Sequence, residues 1–311
     1  MKVGVTGASG SIGKILVPLL ESSGHEIVKF VRRDPKEENE AYWNPNKRTI
    51  DLDIFQEMDA IIHLAGEPIA PLNILDFLPF SGQRWTKEKR SRIYWSRKLS
   101  AETIIEAYKN STKYPRIFIS ASAVGIYGSQ GDDIIDENSS YVRGTFDQYV
   151  AEEACESSLD ELKDFNVRIV FTRTGIALGP DMPIVEILKF IWKLHIGGSI
   201  GGGNQFWPWV SIEDVVNGYL FSLENSNIKG PVNLVSPTPT IQKDFSKLLS
   251  KEMNKISIFP IPAFVVSLAL GTELAEALVL GSRRVLPSKL LRYGYKFKHE
   301  YLKDYIKEIV K

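Results

Sequence analysis

Lys2-Val-Gly-Val-Thr-Gly-Ala-Ser-Gly-Ser-Ile-Gly13 opens the chain, and Val3 to Val5 within it is predicted to form a short buried strand. Gly7, Gly10 and Gly13 follow at the spacing G-x-x-G-x-x-G. After a strand, the first glycine of such a series permits a tight turn. The second lets a backbone approach a pyrophosphate, and the third lets the next helix lie close on the strand. The stretch therefore predicts a strand, a phosphate-binding turn and a helix.

The helix is expected to begin close to Ser11 and to end at Gly24, because apolar residues between these positions recur at helical spacing. The amides of Ser11 and Ile12 would then face a phosphate, with the positive end of the helix dipole behind them. An ordinary strand–turn–helix is the alternative interpretation. Dinucleotide binding is favoured because a second strand arrives at the distance that such a site requires.

The second predicted strand, Glu26 to Val31, ends in Arg32 and Arg33. This position, roughly twenty residues after the glycine turn, is where the second ribose of a dinucleotide lies. A site that prefers NAD places Asp or Glu there to hold the 2′-hydroxyl, whereas arginines can pair with a 2′-phosphate. NADP is therefore favoured over NAD, and a solvated loop is the alternative.

Composition excludes several classes of protein. The 311 residues include 38 Lys and Arg and 38 Asp and Glu, so the formal net charge is zero and no nucleic-acid or membrane-surface partner is expected. Cys155 is the only cysteine, which excludes an internal disulfide and fits a reducing, cytoplasmic setting. The four histidines show no metal-ligand spacing, so no metal site is expected. Neither a cleaved leader nor a membrane span is expected.

The first part of the chain alternates predicted strands with helices. Strands are expected at Asp59 to Leu64, Pro115 to Ser120 and Val167 to Thr172. Helices are expected from Thr86, a plausible N-cap, to Lys109 and from Thr145 to Leu162. This alternation predicts an α/β fold with a Rossmann-type, doubly wound parallel sheet. The first of these strands ends in Ala65 and Gly66, small residues that allow a backbone to lie against the adenosine side of a cofactor.

Beyond Pro180 the character of the sequence changes. A strand at Pro231 to Ser236 should return to the main sheet, so we expect a nucleotide-binding domain over 1–180 and 206–236 and a smaller domain over 181–205 and 237–311. The glycine-rich stretch that precedes Trp207 and Trp209 is expected to be a loop near a ligand or at a domain border. Residues 70–84 are expected to form a loop. Further helices are expected at 184–194, 212–224, 241–254, 263–280 and 301–311.

Together, four further segments resemble the extended short-chain dehydrogenase/reductase superfamily. They are Leu64-Ala-Gly-Glu-Pro-Ile69, Ser120-Ala-Ser-Ala-Val-Gly-Ile-Tyr-Gly128, the stretch from Gly197 to Val210, and Gly281 to Pro287. The chain is most similar to one atypical branch of its NAD-dependent epimerase/dehydratase superfamily, the epimerase family proteins with a C-terminal domain of unknown function. Residues 73–83 look like an insertion relative to that branch.

The resemblance implies a Rossmann-type domain that binds NADP and a smaller C-terminal substrate domain. It also implies cofactor contacts from Arg32, Arg33, Leu64, Ala65 and Arg97. Most members of the superfamily use a Tyr-x-x-x-Lys pair, in which the lysine and the nicotinamide charge lower the pKa of the tyrosine. Here no lysine stands four residues after any candidate tyrosine.

Two candidate catalytic residues remain. Ser122 is the best match to the superfamily serine that hydrogen-bonds the substrate oxygen, although Ser120 or Ala123 could hold that place because the segment is one residue longer than usual. Tyr149 is the weaker candidate, since Glu153 follows it at the lysine position. His63 is interpreted as a strand-end residue rather than a catalyst.

The sequence therefore predicts an NADP-dependent oxidoreductase or epimerase acting on an unknown small substrate, held between the nicotinamide and the loop over 201–209. A non-catalytic NADPH-binding sensor or scaffold is the alternative, and a strict nucleotide-sugar epimerase is weaker because such enzymes need the tyrosine. The expected partners are the small substrate and, in a homodimer, a second copy of the chain.

Overall fold

The structure, a computed structural model, describes residues 1–70, 85–255 and 260–310. The expected loop over 70–84 and the expected insertion over 73–83 therefore lie outside the described residues, apart from residue 70. Within the described ranges, no helix is both long enough and apolar enough to span a bilayer.

An eight-stranded sheet forms the centre of the fold. Its order is β12-β8-β6-β5-β1-β2-β3-β4, and all neighbours pair in parallel except β3 and β4. The other strands form three two-stranded pairs. The strands are β1 (Lys2–Thr6), β2 (Glu26–Val31), β3 (Glu40–Asn44), β4 (Thr49–Ile50), β5 (Ala60–His63), β6 (Ile117–Ala123), β7 (Ile134–Ile135), β8 (Arg168–Thr174), β9 (Ile176–Leu178), β10 (Phe206–Trp207), β11 (Trp209–Ser211), β12 (Gly230–Leu234), β13 (Thr240–Ile241) and β14 (Arg284–Val285).

The helices connect these strands and cover both faces of the sheet. They are α1 (Gly13–Ser22), α2 (Leu52–Gln56), α3 (Lys87–Asn110), α4 (Phe146–Tyr149), α5 (Pro183–Lys193), α6 (Ile212–Glu224), α7 (Gln242–Glu252), α8 (Ala263–Leu270), α9 (Thr272–Ala275), α10 (Ser288–Arg292) and α11 (Leu302–Ile309). Within residues 1–70, 85–255 and 260–310, the remaining helical structure consists of two π-helical segments and three 3₁₀ turns. The π-helical segments are Val150–Glu156 and Glu276–Leu280, and the 3₁₀ turns are Pro45–Lys47, Val124–Tyr127 and Ser157–Phe165.

The strand order changes direction at β1, because the chain proceeds from β1 outward through β2 and β3 and then returns to place β5 on the other side. The carboxyl ends of β1 and β5 lie side by side, with Thr6 paired to His63. In open α/β sheets, ligands bind outside the carboxyl ends of the strands at such a switch point. The topology therefore singles out this edge of the sheet.

Two apolar cores flank the sheet, one on each face. On one face Leu16 of α1 and Tyr219 of α6 pack against strand residues such as Val5. On the other, Ile104 and Tyr108 of α3 pack against the opposite side of the same strands. A sheet buried on both faces between helices is what the alternating pattern predicts, and the expected α/β Rossmann-type fold is confirmed.

Several elements differ from expectation. The sequence of Ala41 to Asp53 predicts a mostly irregular connection with a short strand. The structure places most of β3 and all of β4 there, and β3 extends the parallel sheet beside β2. The helix expected at Thr145 to Leu162 is helical but changes from α to π to 3₁₀ winding along its length. The helix expected over 263–280 is interrupted at Gly271, whose φ of 86° no regular helix adopts. Thr86 caps α3 as expected, with its Oγ1 accepting from the Lys89 amide at 3.2 Å.

A third core lies among the later elements. Trp207 and Trp209 are buried there with Phe245 of α7 and Tyr305 of α11. The two tryptophans therefore lie at the border between the sheet and the C-terminal elements. The proposed division into 1–180 with 206–236 and 181–205 with 237–311 stays a prediction.

The buried carboxylate of Asp214, in the first turn of α6, joins the C-terminal segment to the main sheet. Its Oδ1 accepts from the Lys298 amide at 2.8 Å and from the Tyr295 hydroxyl at 3.1 Å. Its Oδ2 accepts from the Ser211 hydroxyl at 2.6 Å and from the His299 amide at 2.9 Å. Four donors thus meet one carboxylate that is 2% exposed.

Replacing Asp214 with Asn should lower the free energy of unfolding by about 1–3 kcal/mol. A backbone amide donates to each carboxylate oxygen, so in either orientation of the asparagine side chain its NH₂ group would face one of these donors. Urea unfolding measures the change. Asp181→Asn, at an exposed position, is the control and should leave the urea midpoint unchanged. Equal midpoints for the two variants would contradict the role assigned to Asp214.

Candidate functional site

The glycine turn after β1 brings two backbones into contact. Gly7 has a φ of +73°, and a Cβ placed on it would lie 2.8 Å from the Ala65 amide nitrogen. A Cβ on Gly13 would lie 2.5 Å from the Gly7 carbonyl oxygen, and one on Gly10 would lie 3.3 Å from the same atom. Side chains at Gly7 and Gly13 would therefore force the turn, α1 and the segment after β5 apart.

The start of α1 presents open donors. The amides of Ser11 and Ile12 find no hydrogen-bond acceptor within the described part of the chain, whereas the Lys14 amide donates to the Gly10 carbonyl at 3.0 Å. Free amides at a helix N-terminus form an anion-binding site. Gly7 and Gly10 line the neighbouring cleft directly, whereas Ser11, Ile12 and Gly13 are not among its lining residues.

The cleft itself has a volume of about 860 Å³, within the range of cofactor sites. It runs along the carboxyl ends of β1, β2 and β5. Its walls combine the glycine turn, Lys14, the end of β2, the segment after β5 and α3; the residues that matter for the predicted site are Gly7, Gly10, Arg32, Arg33, Leu64, Ala65 and Gly66.

Arg32 and Arg33 differ in their surroundings. The Arg33 guanidinium donates to both carboxylate oxygens of Glu40, at 2.7 Å and 2.5 Å. This bidentate pair, with the Lys36 amide, lowers the pKa of Glu40 to about 2, so Glu40 is an anion at neutral pH. Arg32 is exposed and has no ion-pair partner among residues 1–70, 85–255 and 260–310. Of the two arginines, only Arg32 has a positive charge that no carboxylate of the described residues neutralises.

His63 at the end of β5 is a buried structural residue, in keeping with its interpretation as a strand-end residue. Its Nδ1 lies 2.7 Å from the Thr6 hydroxyl. Burial, assisted by the charge of Arg97, lowers the pKa of His63 to about 4. The imidazole is therefore neutral near pH 7, and it fixes the carboxyl ends of β1 and β5 together.

Arg97 of α3 holds the segment after β5. Its Nη1 donates to the Glu67 carbonyl at 3.1 Å and to the Ile93 carbonyl at 2.9 Å. A Cβ on Gly66 would lie 3.1 Å from the Arg97 guanidinium carbon, so a side chain there would displace that guanidinium by a few tenths of an ångström. Lys89 adds an ion pair to the Glu67 carboxylate at 2.8 Å. Arg97 and Lys89 of α3 thus hold the segment that forms the cleft wall, and they do not belong to a solvated helix face.

A smaller pocket of about 140 Å³ adjoins the cleft and shares the Leu64 to Pro68 segment with it. Ser120 and Ser122 line it from β6, and Val150, Ala154 and Cys155 line it from the π-helical segment. Desolvation raises the pKa of the Cys155 thiol, so it is protonated at neutral pH and is a poor nucleophile. The polar groups available for chemistry are therefore mainly the serines.

Ser122 belongs to a buried charged network. Its Oγ donates to Glu156 Oε1 at 2.8 Å, and the Arg173 Nε donates to the same oxygen at 2.9 Å. Arg173 Nη2 donates to Glu156 Oε2 at 2.7 Å. Ser122 and Arg173 are paired neighbours on β6 and β8, so the sheet register brings them together. The carboxylate of Glu156 thus joins the predicted serine to a guanidinium that is 2% exposed.

The network continues through two tyrosines. Arg173 donates to the Tyr127 hydroxyl at 2.9 Å and to the Tyr141 hydroxyl at 2.6 Å, and Tyr127 donates to Asn233 Oδ1 at 2.7 Å. Burial by itself would lower the pKa of Arg173, but the hydrogen bonds and charge of Glu156 outweigh it and raise that pKa. Burial raises the pKa of Tyr127 despite the nearby guanidinium. Arg173 is therefore charged and Tyr127 neutral near pH 7.

Glu156 was not among the sequence-predicted residues. Neither was Arg173, and nothing in the spacing of the two residues indicates that they meet beside a pocket.

Tyr149 lies apart from this network. Its side chain is 48% exposed and stacks on Tyr94, with ring centroids 5.5 Å apart and planes 11° from parallel. It lines neither the cleft nor the smaller pocket. The structure therefore brings Ser122 to the pocket. It leaves Tyr149 at the surface, at the end of α4 and directly before the π-helical segment that lines the pocket.

A parallel sheet with a glycine turn and an open helix N-terminus at its switch point defines a Rossmann-type nucleotide-binding protein. The family model described as the NAD dependent epimerase/dehydratase family matches residues 3–234, and that of a domain of unknown function, DUF1731, matches residues 261–309. The chain belongs to the NAD-dependent epimerase/dehydratase family. The resemblance inferred from the sequence is thereby confirmed.

Three similar proteins show how far the likeness extends. An epimerase family protein of Mycobacterium bovis is 30% identical over 96% of this chain and 93% of its own length. The crystal structure of the human epimerase family protein SDR39U1 with NADPH matches with a TM-score of 0.84 and 26% identity, over 100% of this chain and 99% of that one. UDP-glucuronic acid 4-epimerase of Bacillus cereus, solved with UDP-glucuronic acid and NAD, shares the fold with a TM-score of 0.74 at 20% identity, over 100% and 98%.

The lowered pKa of His63 predicts a pH dependence of stability. The unfolded chain binds a proton near pH 6.5, whereas the folded protein does so only near pH 4. Stability should therefore be lost as the pH falls from 6.5 towards 4, with a slope of up to about 1.4 kcal/mol per pH unit from this group. His63→Gln should flatten that slope in urea titrations at several pH values.

His195→Asn is the matched control, because His195 is exposed and asparagine tolerates its φ of 60°. It should leave the slope as in the parent protein. A slope that is unchanged in His63→Gln would show that His63 titrates normally in the folded state.

Proposed function

We propose that this protein is an NADP-dependent oxidoreductase or epimerase that acts on a small substrate. The observation that carries the proposal is the cleft at the β1–β5 switch point. The glycine turn and Arg32, which has no ion-pair partner among the described residues, line this cleft, and the open amides of Ser11 and Ile12 lie next to it. The NADPH described with the human relative supports the choice of cofactor.

The residues of the cleft fit a dinucleotide. Gly7 lets the turn lie against the Ala65 backbone, and Gly10 leaves open the place where a pyrophosphate meets the N-terminus of α1. Leu64, Ala65 and Gly66 offer backbone beside the adenosine portion, and Arg97 holds that backbone in position. The smaller pocket, continuous with the cleft wall, is the place for the nicotinamide and for the substrate oxygen beside Ser122. The loop over 201–209, expected from the sequence to hold the substrate, lines neither cavity.

NADP is favoured over NAD because the two arginines have different roles. Glu40 is an anion beside the expected 2′-position, and alone it would repel a phosphate and attract a ribose hydroxyl. Arg33 neutralises Glu40 through its bidentate pair, so Arg32 can pair with a 2′-phosphate. NAD in the B. cereus enzyme, which shares only the fold, is the contrasting case.

For the chemistry, the bound cofactor would donate or accept a hydride at carbon 4 of its nicotinamide. Because Ser122 donates its hydrogen bond to Glu156, its oxygen is free to accept a hydrogen bond from a substrate hydroxyl. In oxidation, the hydroxyl proton would pass to the Ser122 oxygen as the serine proton moves to the Glu156 carboxylate, and in reduction both transfers would run in reverse. Arg173 keeps Glu156 in place and balances its charge. These residues hold and orient the substrate oxygen where the superfamily's Tyr-x-x-x-Lys pair is missing.

A non-catalytic NADPH-binding sensor or scaffold is the second candidate. The specific observation in its favour is the position of Tyr149, which stacks on Tyr94 outside both cavities. With no lysine four residues after it, this tyrosine has neither the place nor the partner of a catalytic acid or base.

Arg32→Ala should weaken NADPH binding about 10- to 150-fold and leave NADH binding within about twofold, because a charged hydrogen bond contributes roughly 1.5–3 kcal/mol. Arg33→Ala should also weaken NADPH, and it should improve NADH relative to NADPH by freeing Glu40. Fluorescence titration of both cofactors measures these constants. Arg292→Ala, at an exposed site on α10, is the control. NADPH affinity that survives loss of both Arg32 and Arg33 would remove the basis of the NADP assignment.

Ser122→Ala should lower kcat/KM at least tenfold in oxidation or reduction of a responsive sugar, aldehyde or ketone, while NADPH binding stays within about twofold. Ser120→Ala, in the same strand and pocket, is the matched control and tests whether Ser120 holds that role instead. Cofactor binding without turnover over a broad substrate panel would favour the sensor.

A further inference from the structure

We propose that Glu213, His299 and Glu308 form a binding site for a divalent first-row transition metal ion. Each side chain offers one ligand atom, and these three atoms lie within 4.8 Å of one another. The residues come from the first turn of α6, the segment before α11 and the last turn of α11. The site lies outside the nucleotide cleft and the smaller pocket, neither of which these residues line.

His299 supplies an observation that is independent of the clustering. Its side chain is only 9% exposed, and its Nε2 is buried with no hydrogen-bond partner among the described residues. Within those residues, neither Glu213 nor Glu308 forms an ion pair or hydrogen bond with the ring. An unpartnered buried imidazole nitrogen destabilises a folded protein, and a bound cation would satisfy the ring and two carboxylates together.

Two of the three ligands are held in place by their surroundings. The Tyr305 hydroxyl donates to Glu213 Oε2 at 2.8 Å, and its ring lies against the His299 ring with centroids 4.3 Å apart. The His299 amide is anchored on the buried Asp214 carboxylate at 2.9 Å. Hydrogen bonds of this kind orient ligands at metal sites. Glu308 is exposed, so it can rotate to complete the set.

The donor set indicates the class of metal. One imidazole with two carboxylates suits Zn²⁺ and its first-row neighbours, whereas Mg²⁺ and Ca²⁺ prefer oxygen ligands alone. In a tetrahedral Zn²⁺ site with bonds of about 2.0–2.1 Å, ligand atoms stand about 3.4 Å apart, so these ligand atoms would approach one another by at most about 1.4 Å. Three protein ligands leave a fourth position for water. The ion would fasten α11 and the preceding segment to the start of α6.

Zn²⁺ titration of the chelator-treated full chain, followed by calorimetry and by thermal unfolding, tests the proposal. We expect one Zn²⁺ per chain, a raised melting temperature, and little competition from millimolar Mg²⁺. Glu308→Gln and His299→Asn should each weaken Zn²⁺ binding at least 30-fold. Because Glu308 is exposed, its variant should fold even if the His299 variant does not.

Glu224→Gln is the matched control. Glu224 lies on α6, like Glu213, and pairs with His25 Nε2 at 3.1 Å, but no third His, Cys, Asp or Glu of the described residues joins that pair. Its replacement should leave Zn²⁺ affinity within twofold. Absence of Zn²⁺ binding would overturn the proposal. So would affinity that is the same in all variants, since that result means an adventitious ion only. A Co²⁺ absorption band that persists in His299→Asn would also exclude the imidazole as a ligand.

Discussion

The absence of side chains at Gly7 and Gly13 is the constraint on which the nucleotide cleft depends. It lets the turn after β1 approach the backbone of Ala65 on one side and the start of α1 on the other. The spacing between β1, α1 and the segment after β5 follows from these two contacts. Every other wall of the cleft, from Arg32 to the segment that Arg97 holds, takes its position relative to them.

Arg173 has a comparable role around the smaller pocket. Its guanidinium reaches Glu156 on the helical segment and Tyr127 after β6, and Tyr127 in turn reaches Asn233 at the end of the sheet. A buried charge of this kind is stable only if all of its partners are in place. The pocket around Ser122 is therefore built as a unit, with orientation supplied by a polar network rather than by apolar packing alone.

The sequence sufficed for the features that local chemistry determines. Helical spacing and the Thr86 cap located α3, and alternation of strands and helices indicated the parallel sheet. Prediction from the sequence failed for features that depend on contacts between residues far apart in the chain or in irregular loops. The pairing of Arg33 with Glu40 needs the fold of the intervening loop. The orphaned His299 nitrogen depends on three segments that meet only after folding, so the spacing of the four histidines gave no indication of it.

The π-helical segment Val150–Glu156 explains why Tyr149 and Glu156 face different ways. Residues seven apart in an α-helix lie on nearly the same side, so regular winding would point both outward or both inward. With i→i+5 winding in between, the phase slips, and Tyr149 stays at the surface while Glu156 reaches Ser122. Helical pitch thus determines which side chain of this segment hydrogen-bonds the serine that lines the pocket. The Tyr-x-x-x-Lys spacing presupposes a regular α-helix. It therefore gives no indication of a carboxylate that π-helical winding turns inward, such as that of Glu156.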